Sequence, residues 1–298
     1  MQRHALWALI LIVFFCFSCA PRDITGPPKV EPPPKPAKVA LVLGAGSSKG
    51  FAHVGVLKVL EINHVPIHLI VGTSVGSVVG SLYAFGYSAF EVQEIALSVE
   101  KGDVIDPLYV PTQGFVKGEK LEEFVNKMVK HTPIEKLKIP FLAVATDVQQ
   151  GQEVILEKGN TGSAVRASCS IPGVFRPAKI GDRIYVDGGV MSPVPVAAAK
   201  RFGADVVIAV DISSEVEKTT PQGTVETLLQ AIAIMYANLG AIQLGQADVV
   251  IKPKVAHISP FDFTKRHEAI LAGEKATLAV MPQVTQILGR LRQEGRLE

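Results

Sequence analysis

Apolar positions along the chain fall into runs of two lengths. Lys38–Leu43, His68–Val71, Ile139–Thr146 and Asp205–Asp211 are short and nearly continuous, the pattern of strands buried on both faces of a parallel sheet. Glu153–Leu156, Arg183–Val186 and Asp248–Lys252 read as further strands. Between them, helical spacing marks Phe51–Glu61, Val75–Phe85, Ser88–Lys101, Gly118–Lys130, Thr161–Ser168, Val194–Phe202, Val225–Leu239, and Phe263–Leu291 with an interruption near Pro282. Strands alternating with helices predict an α/β domain. In Val225–Leu239, the residues Leu228, Ile232, Met235 and Leu239 are spaced as a core face. Asp103–Lys117 reads as irregular; with Pro107, Tyr109, Pro111 and Phe115 it either lines a cleft or covers the core.

One run does not belong to the domain. Ala5–Phe17 is apolar throughout, follows Arg3 and His4, and ends in Ser18-Cys19-Ala20, so residues 1–18 read as a secretory signal. It is short for a mature membrane span, which needs about 20 residues. Cysteine after a small residue at this place resembles a bacterial lipobox, although Cys16 stands where leucine is usual; the resemblance makes Cys19 a lipidated N-terminus. Ala20 behind it favours the periplasmic face of the outer membrane of a Gram-negative cell. Residues 19–37 then form a tether, with Gly26–Pro36 proline-rich and extended. The domain proper is 38–298.

Composition narrows the chemistry. Net charge is +2 and charged residues are 19% of 298, which gives no electrostatic case for nucleic acid. Of three cysteines, Cys16 leaves with the signal and Cys19 carries lipid, so Cys169 has no disulfide partner. No His/Cys/Asp cluster has metal-ligand spacing, and no cofactor is expected.

Two strand ends carry candidate chemistry. Gly72-Thr73-Ser74-Val75-Gly76 lies between a predicted strand and helix with the spacing of a nucleophile elbow, where a side chain at Gly72 or Gly76 would clash. The turn exposes the Ser74 hydroxyl at a helix N-terminus, which favours developing negative charge. The strand before it runs into Gly44-Ala45-Gly46-Ser47-Ser48-Lys49-Gly50. A phosphate loop would need a hydroxyl after Lys49, and a dinucleotide loop a glycine in its place, so both nucleotide readings fail. The loop reads instead as an oxyanion hole. Asp187, at a strand end before Gly188 and Gly189, is either a turn cap or a base.

Together, Lys49-Gly50 with Gly55-Val56, Gly72 to Gly76, Arg166-Ala167-Ser168, Ile171-Pro172 and Asp187-Gly188-Gly189 resemble the patatin-like phospholipases, chiefly the small bacterial members. The motif-bearing part is about 38–200. The resemblance implies a three-layer α/β/α fold with a mainly parallel sheet, a serine esterase acting on lipid acyl esters, Ser74 as nucleophile, Asp187 as its base, and backbone N–H groups of Ala45, Gly46 and Ser47 as the oxyanion hole. Where the family loop has glycines, Ala45 and Ser47 stand here, and Lys49 keeps the positive charge. Two rivals follow: a Ser–Asp–His hydrolase using His257 or His267, and an inactive lipoprotein that binds lipid or a partner.

Overall fold

The computed structural model describes residues 34–108, 114–213 and 220–298. The signal, Cys19, most of the tether, Tyr109 and Pro111 lie outside the described residues. Lys35–Glu298 forms one compact unit.

An eight-stranded sheet runs through this unit. Its parallel part comprises β1 (Val39–Leu43), β2 (Leu69–Thr73), β3 (Phe141–Asp147), β7 (Val206–Val210) and β8 (Val249–Ile251), in the order β3-β2-β1-β7-β8. Beyond β3 the sheet turns antiparallel, with β4 (Gln152–Leu156), β5 (Ala178–Ile180) and β6 (Arg183–Asp187). The short β5 carries no pattern of its own and was not visible as a run.

The alternation of side chains along the strands separates two cores. One face presents Leu41, Leu43, Ile70, Ala143 and Ile208. Onto it pack α1 (Phe51–Ile62), α2 (Val75–Phe85), α3 (Ala89–Ser98), α5 (Glu119–Met128), α6 (Thr161–Ser168) and α9 (Arg266–Gln293). The other face presents Ala40, Val42, Val71, Val144 and Val207 to α7 (Val196–Arg201) and the end of α8 (Thr224–Leu244). This is the three-layer α/β/α arrangement. Helices α1 and α9 cross so closely that a Cβ at Gly55 would stand 2.0 Å from the Ile270 carbonyl oxygen, and one at Gly273 2.0 Å from that of Ala52.

Three expectations need correction. Helix α9 runs unbroken through Pro282. The residue is exposed, and the carbonyl it frees belongs to Leu278, itself 58% exposed, so water satisfies it. The buried stripe of α8 is Ile232, Tyr236, Gly240 and Leu244, whereas Met235 is exposed and Leu228 lies at the edge, with its Cδ2 against Gly173. The irregular stretch after α3 holds one helical turn, α4 (Lys101–Val104). Its Val104 and Ile105 line a cavity, while Phe115 is exposed.

Candidate active site

The site forms where two strands meet end to end. On β3, residues 143–147 pair with β4 along one edge, so β6, which pairs with 145–147, must share the other edge with β2. Strand β2 ends with Thr73 opposite Val144, and β6 ends with Asp187 opposite Ala145. Ser74 and Asp187 thus issue from facing strand ends at adjacent rungs of one neighbour.

Ser74 adopts φ 55° and ψ −128°, an unfavourable conformation for a residue with a Cβ. Such geometry costs about 1–3 kcal/mol and persists only where its surroundings fix it. Its N–H donates to Ser168 Oγ at 2.9 Å, and that hydroxyl donates to the Val144 carbonyl at 2.6 Å. Its carbonyl accepts from the Ser77 hydroxyl at 2.6 Å and the Ser77 N–H at 2.8 Å. A Cβ at Gly72 would lie 2.6 Å from the Gly76 carbonyl oxygen, across the turn. One at Gly76 would lie 2.1 Å from the Leu43 carbonyl oxygen, against β1. Only glycine fits either place.

Asp187 is fully buried. Its N–H donates to the Ser170 carbonyl at 2.8 Å, and its own carbonyl accepts from the Thr146 hydroxyl at 3.0 Å. Oδ1 accepts from the Gly189 N–H at 2.7 Å, so the turn-capping role is real. Oδ2 is buried without a hydrogen bond of normal geometry. The hydroxyls of Ser74 and Tyr236 lie close enough to the carboxyl to favour its ionised form. Burial raises the Asp187 pKa to about 6, against the opposing pull of Ser74, the Gly189 N–H and Tyr236. Gly188 permits the approach, since a Cβ there would stand 2.1 Å from the Val144 carbonyl oxygen. Gly189 gives room to the Tyr236 ring, 2.3 Å from where its Cβ would be.

The loop after β1 differs from expectation at one residue. The Gly44 and Ala45 N–H groups donate to the carbonyls of Val210, at 3.0 Å, and Pro193, at 2.9 Å. Ala45 is therefore removed from the set of oxyanion donors. The N–H groups of Gly46 and Ser47 have no hydrogen bond among the described residues. Gly46 is extended, and a Cβ on it would meet Ile212 Cδ1 at 2.7 Å. Ser47 has φ 51°, the left-handed conformation that glycine adopts without strain. Lys49 is half-buried behind this turn. Gly50 receives Val75, whose Cγ2 would lie 2.2 Å from a Cβ.

Beneath Ser74 opens a cavity of about 150 Å³. Val75, Val78, Val79 and Leu82 line it down α2, with Ile95, Leu121, Phe124 and Phe175 opposite. Leu82 is eight residues from Ser74, so the lining extends about 12 Å along the helix. An apolar lining of this kind, aliphatic and aromatic, suits an apolar guest.

Two residues near Ser74, Asp187 or the loop after β1, Tyr236 and His53, were not singled out from sequence. Tyr236 sits in a helix with no local sign of a role, whereas Ser168, part of the Arg166-Ala167-Ser168 motif, holds the Ser74 N–H. His53, on α1, is buried, and its Nε2 contacts the Gly44 carbonyl at 2.9 Å. A carbonyl only accepts, so Nε2 carries the proton. Burial lowers the pKa of His53 to about 4, which keeps the ring neutral. Cys169 is a core thiol at the cavity wall, and burial pushes its pKa up. His257 and His267 are exposed, and His257 pairs with Glu268 at 2.7 Å. Neither belongs to the surroundings of Asp187. Among the described residues no His/Cys/Asp/Glu group could hold a metal ion.

A model of the patatin-like phospholipases matches residues 41–200. An uncharacterized NTE family protein of Mycobacterium bovis is 37% identical over 179 residues, 59% of this chain and 49% of that protein. Lysophospholipase NTE1 of Debaryomyces hansenii is 29% identical over 292 residues, 87% of this chain and 18% of that one. The chain thus spans about half the length, or less, of these curated relatives. Among solved structures, VipD from Legionella pneumophila superposes with a TM-score of 0.48 at 12% identity, covering 85% of this chain and 67% of that one. The matched segment exceeds half of the 298 residues and contains the loop after β1, the Ser74 elbow and the Asp187 turn, so the chain belongs to the patatin-like phospholipase family.

Proposed function

We propose that this protein is a serine acyl hydrolase of lipid esters that works with a Ser74–Asp187 dyad. One observation carries the reading: a strained serine stands over an apolar cavity lined down α2, beside a buried carboxylate with one unpartnered oxygen. The acyl chain enters the cavity along α2, which sets its carbonyl at Ser74. As Ser74 Oγ attacks, its proton passes to Asp187 Oδ2. The carbonyl oxygen gains negative charge and accepts from the Gly46 and Ser47 N–H groups. Protonated Asp187 then gives its proton to the departing alcohol, leaving an acyl-enzyme. Water repeats the sequence: Asp187 takes its proton, the hydroxyl attacks, and Ser74 leaves reprotonated. A carboxylate with a pKa near 6 is ionised at pH 7 yet more basic than an exposed aspartate, which suits both halves.

Export and acylation at Cys19 complete the proposal, placing the domain on a tether at the periplasmic face of the outer membrane. Palmitate labelling of the parent and its loss in Cys19→Ala tests the anchor. A serine-directed fluorophosphonate tests the site. Labelling of the parent but not of Ser74→Ala, with hydrolysis of long-chain acyl esters lost in folded Ser74→Ala and Asp187→Asn, is expected. Unlabelled, inactive parent protein would instead leave an acyl-binding lipoprotein of the same fold.

A further inference from the structure

The outer face of α8 carries the wrong chemistry for water. Ile232, Tyr236, Gly240 and Leu244 bury its inner face, while Val225, Leu228, Ile234, Met235 and Ile242 are exposed, Ile242 by 74%. Ala231 and Ala241, also exposed, join Ile234, Met235 and Ile242 on the side opposite the buried stripe, where Thr227 and Asn238 are the exposed polar residues. Glu226 is the only charged residue among the 21 from Thr224 to Leu244. A surface helix of a soluble domain has charged or polar residues on that side. An exposed, uncharged and mostly apolar face of this kind marks a binding surface. By length and composition the helix could also cross a membrane, but only 17% of its apolar window is buried, so it is not a core helix. Its inner face is fixed to the domain: Tyr236 packs on Gly189, and Ile232 clusters with Ile171 and Phe175, which line the cavity below Ser74.

We propose that the outer face of α8 docks on a lipid bilayer, lying in the interface with its aliphatic stripe among the acyl chains. The orientation rests on the proposed acyl hydrolase reading, because one helix then joins the membrane to the wall of the acyl cavity. The existence of the contact does not. Chemistry favours lipid over a protein partner: the stripe is mostly aliphatic, with neither an aromatic anchor nor a charge to select and orient a folded partner. For the same reason neutral phosphatidylcholine suffices, and salt leaves the contact intact.

Hydrogen exchange of the full-length Ser74→Ala protein, with and without phosphatidylcholine vesicles, tests this locally and is blind to an N-terminal anchor elsewhere in the chain. Peptides from α8 should exchange at least tenfold more slowly with vesicles, at low and high salt alike. In Ile234→Gln/Met235→Gln/Ile242→Gln that protection should vanish. In the same triple variant carrying Ser74, hydrolysis of vesicle lipid should fall at least tenfold relative to that of a soluble short-chain ester. Unchanged exchange in α8 of vesicle-bound protein overturns the proposal, whether or not the triple variant folds. Protection that appears without lipid and tracks dimer formation in light scattering overturns it too, because the occupant is then a second copy. Protection of α8 in a protein whose parent hydrolyses neither substrate leaves the docking surface standing and removes the hydrolase reading.

Discussion

Asp187 holds a carboxylate where the fold would be more stable without its charge, and Asp187→Asn should reveal this. Burial moves its pKa from 3.8 to about 6. A shift of about 2 units corresponds to roughly 3 kcal/mol of differential stability between the two protonation states. The sign follows from proton counts. Between pH 4 and 6 the native state binds the proton more tightly than the unfolded chain, so Asp187 lowers stability as pH rises through that window. The penalty is complete above about pH 6 and absent below about pH 4. Asparagine preserves the acceptor for the Gly189 N–H and presents an amide that can donate to the hydroxyl of Ser74 or Tyr236. We expect Asp187→Asn to be inactive yet about 2–3 kcal/mol more stable at pH 8, the gain shrinking towards zero at pH 4. Urea unfolding followed by circular dichroism at pH 8, 6 and 4.5 measures it. His53 works in the opposite direction, since its pKa of about 4 makes the native state lose stability as pH falls below 6.5. The two partly cancel in the parent, so the difference between parent and variant isolates Asp187. A variant less stable than the parent at pH 8, or a gain that does not change with pH, would refute the account of a charge buried at a cost.

Four further outcomes are expected. With Asp187 as the base, kcat/KM for a soluble ester should rise with pH through a single ionisation near 6, and a profile flat from pH 5 to 8 would count against it. Ser47→Gly removes left-handed strain of about 1–2 kcal/mol but adds unfolded-state freedom worth roughly 0.4–1 kcal/mol, so the midpoint in urea should move up slightly with activity kept or raised. Val78→Phe projects into the cavity partway down α2 and should lower the ratio of long-chain to short-chain ester hydrolysis at least tenfold in a chain-length series. His257→Ala and His267→Ala should each retain activity within about twofold of the parent, whereas a triad histidine would lose orders of magnitude.

What could be read from the chain alone follows from the range of the interactions. Buried parallel strands announce themselves because both faces are apolar, and the Ser74 elbow because its glycine spacing is local, although Gly76 answers to the distant Leu43 carbonyl. The Ala45 N–H was misread because its acceptor, Pro193, lies far along the chain, and nothing near Ala45 signals it. The face of α8 was misplaced for a related reason. The polar residues of α8 are few and small, chiefly Thr227 and Asn238 on its outer side, so they mark its phase only weakly against the apolar residues around them. Only the packing of Tyr236 on Gly189 decides it. Pro282 misled in the opposite sense, because a proline on the solvent side of a helix removes a bond that water replaces.

The pairing of Ser74 with Asp187 depends on a strand that contributes neither residue. Strand β3 changes partners along one edge between Val144 and Ala145, from parallel β2 to antiparallel β6, and this hand-over brings the two turns together. Side chains alternate along a strand, so a slip of β6 by one residue would send Asp187 to the opposite face of the sheet from Ser74. The register is held at that rung by backbone contacts on every side. Asp187 donates to Ser170, accepts from Thr146, and is followed by Gly188 pressed against the Val144 carbonyl. Ser168, which fixes the Ser74 N–H, bonds that same Val144 carbonyl. One peptide of β3 thus sets both the elbow and the carboxylate turn. Substitutions at Ser168 or Gly188 should therefore disturb the Ser74 and Asp187 turns together, although neither residue belongs to the proposed dyad.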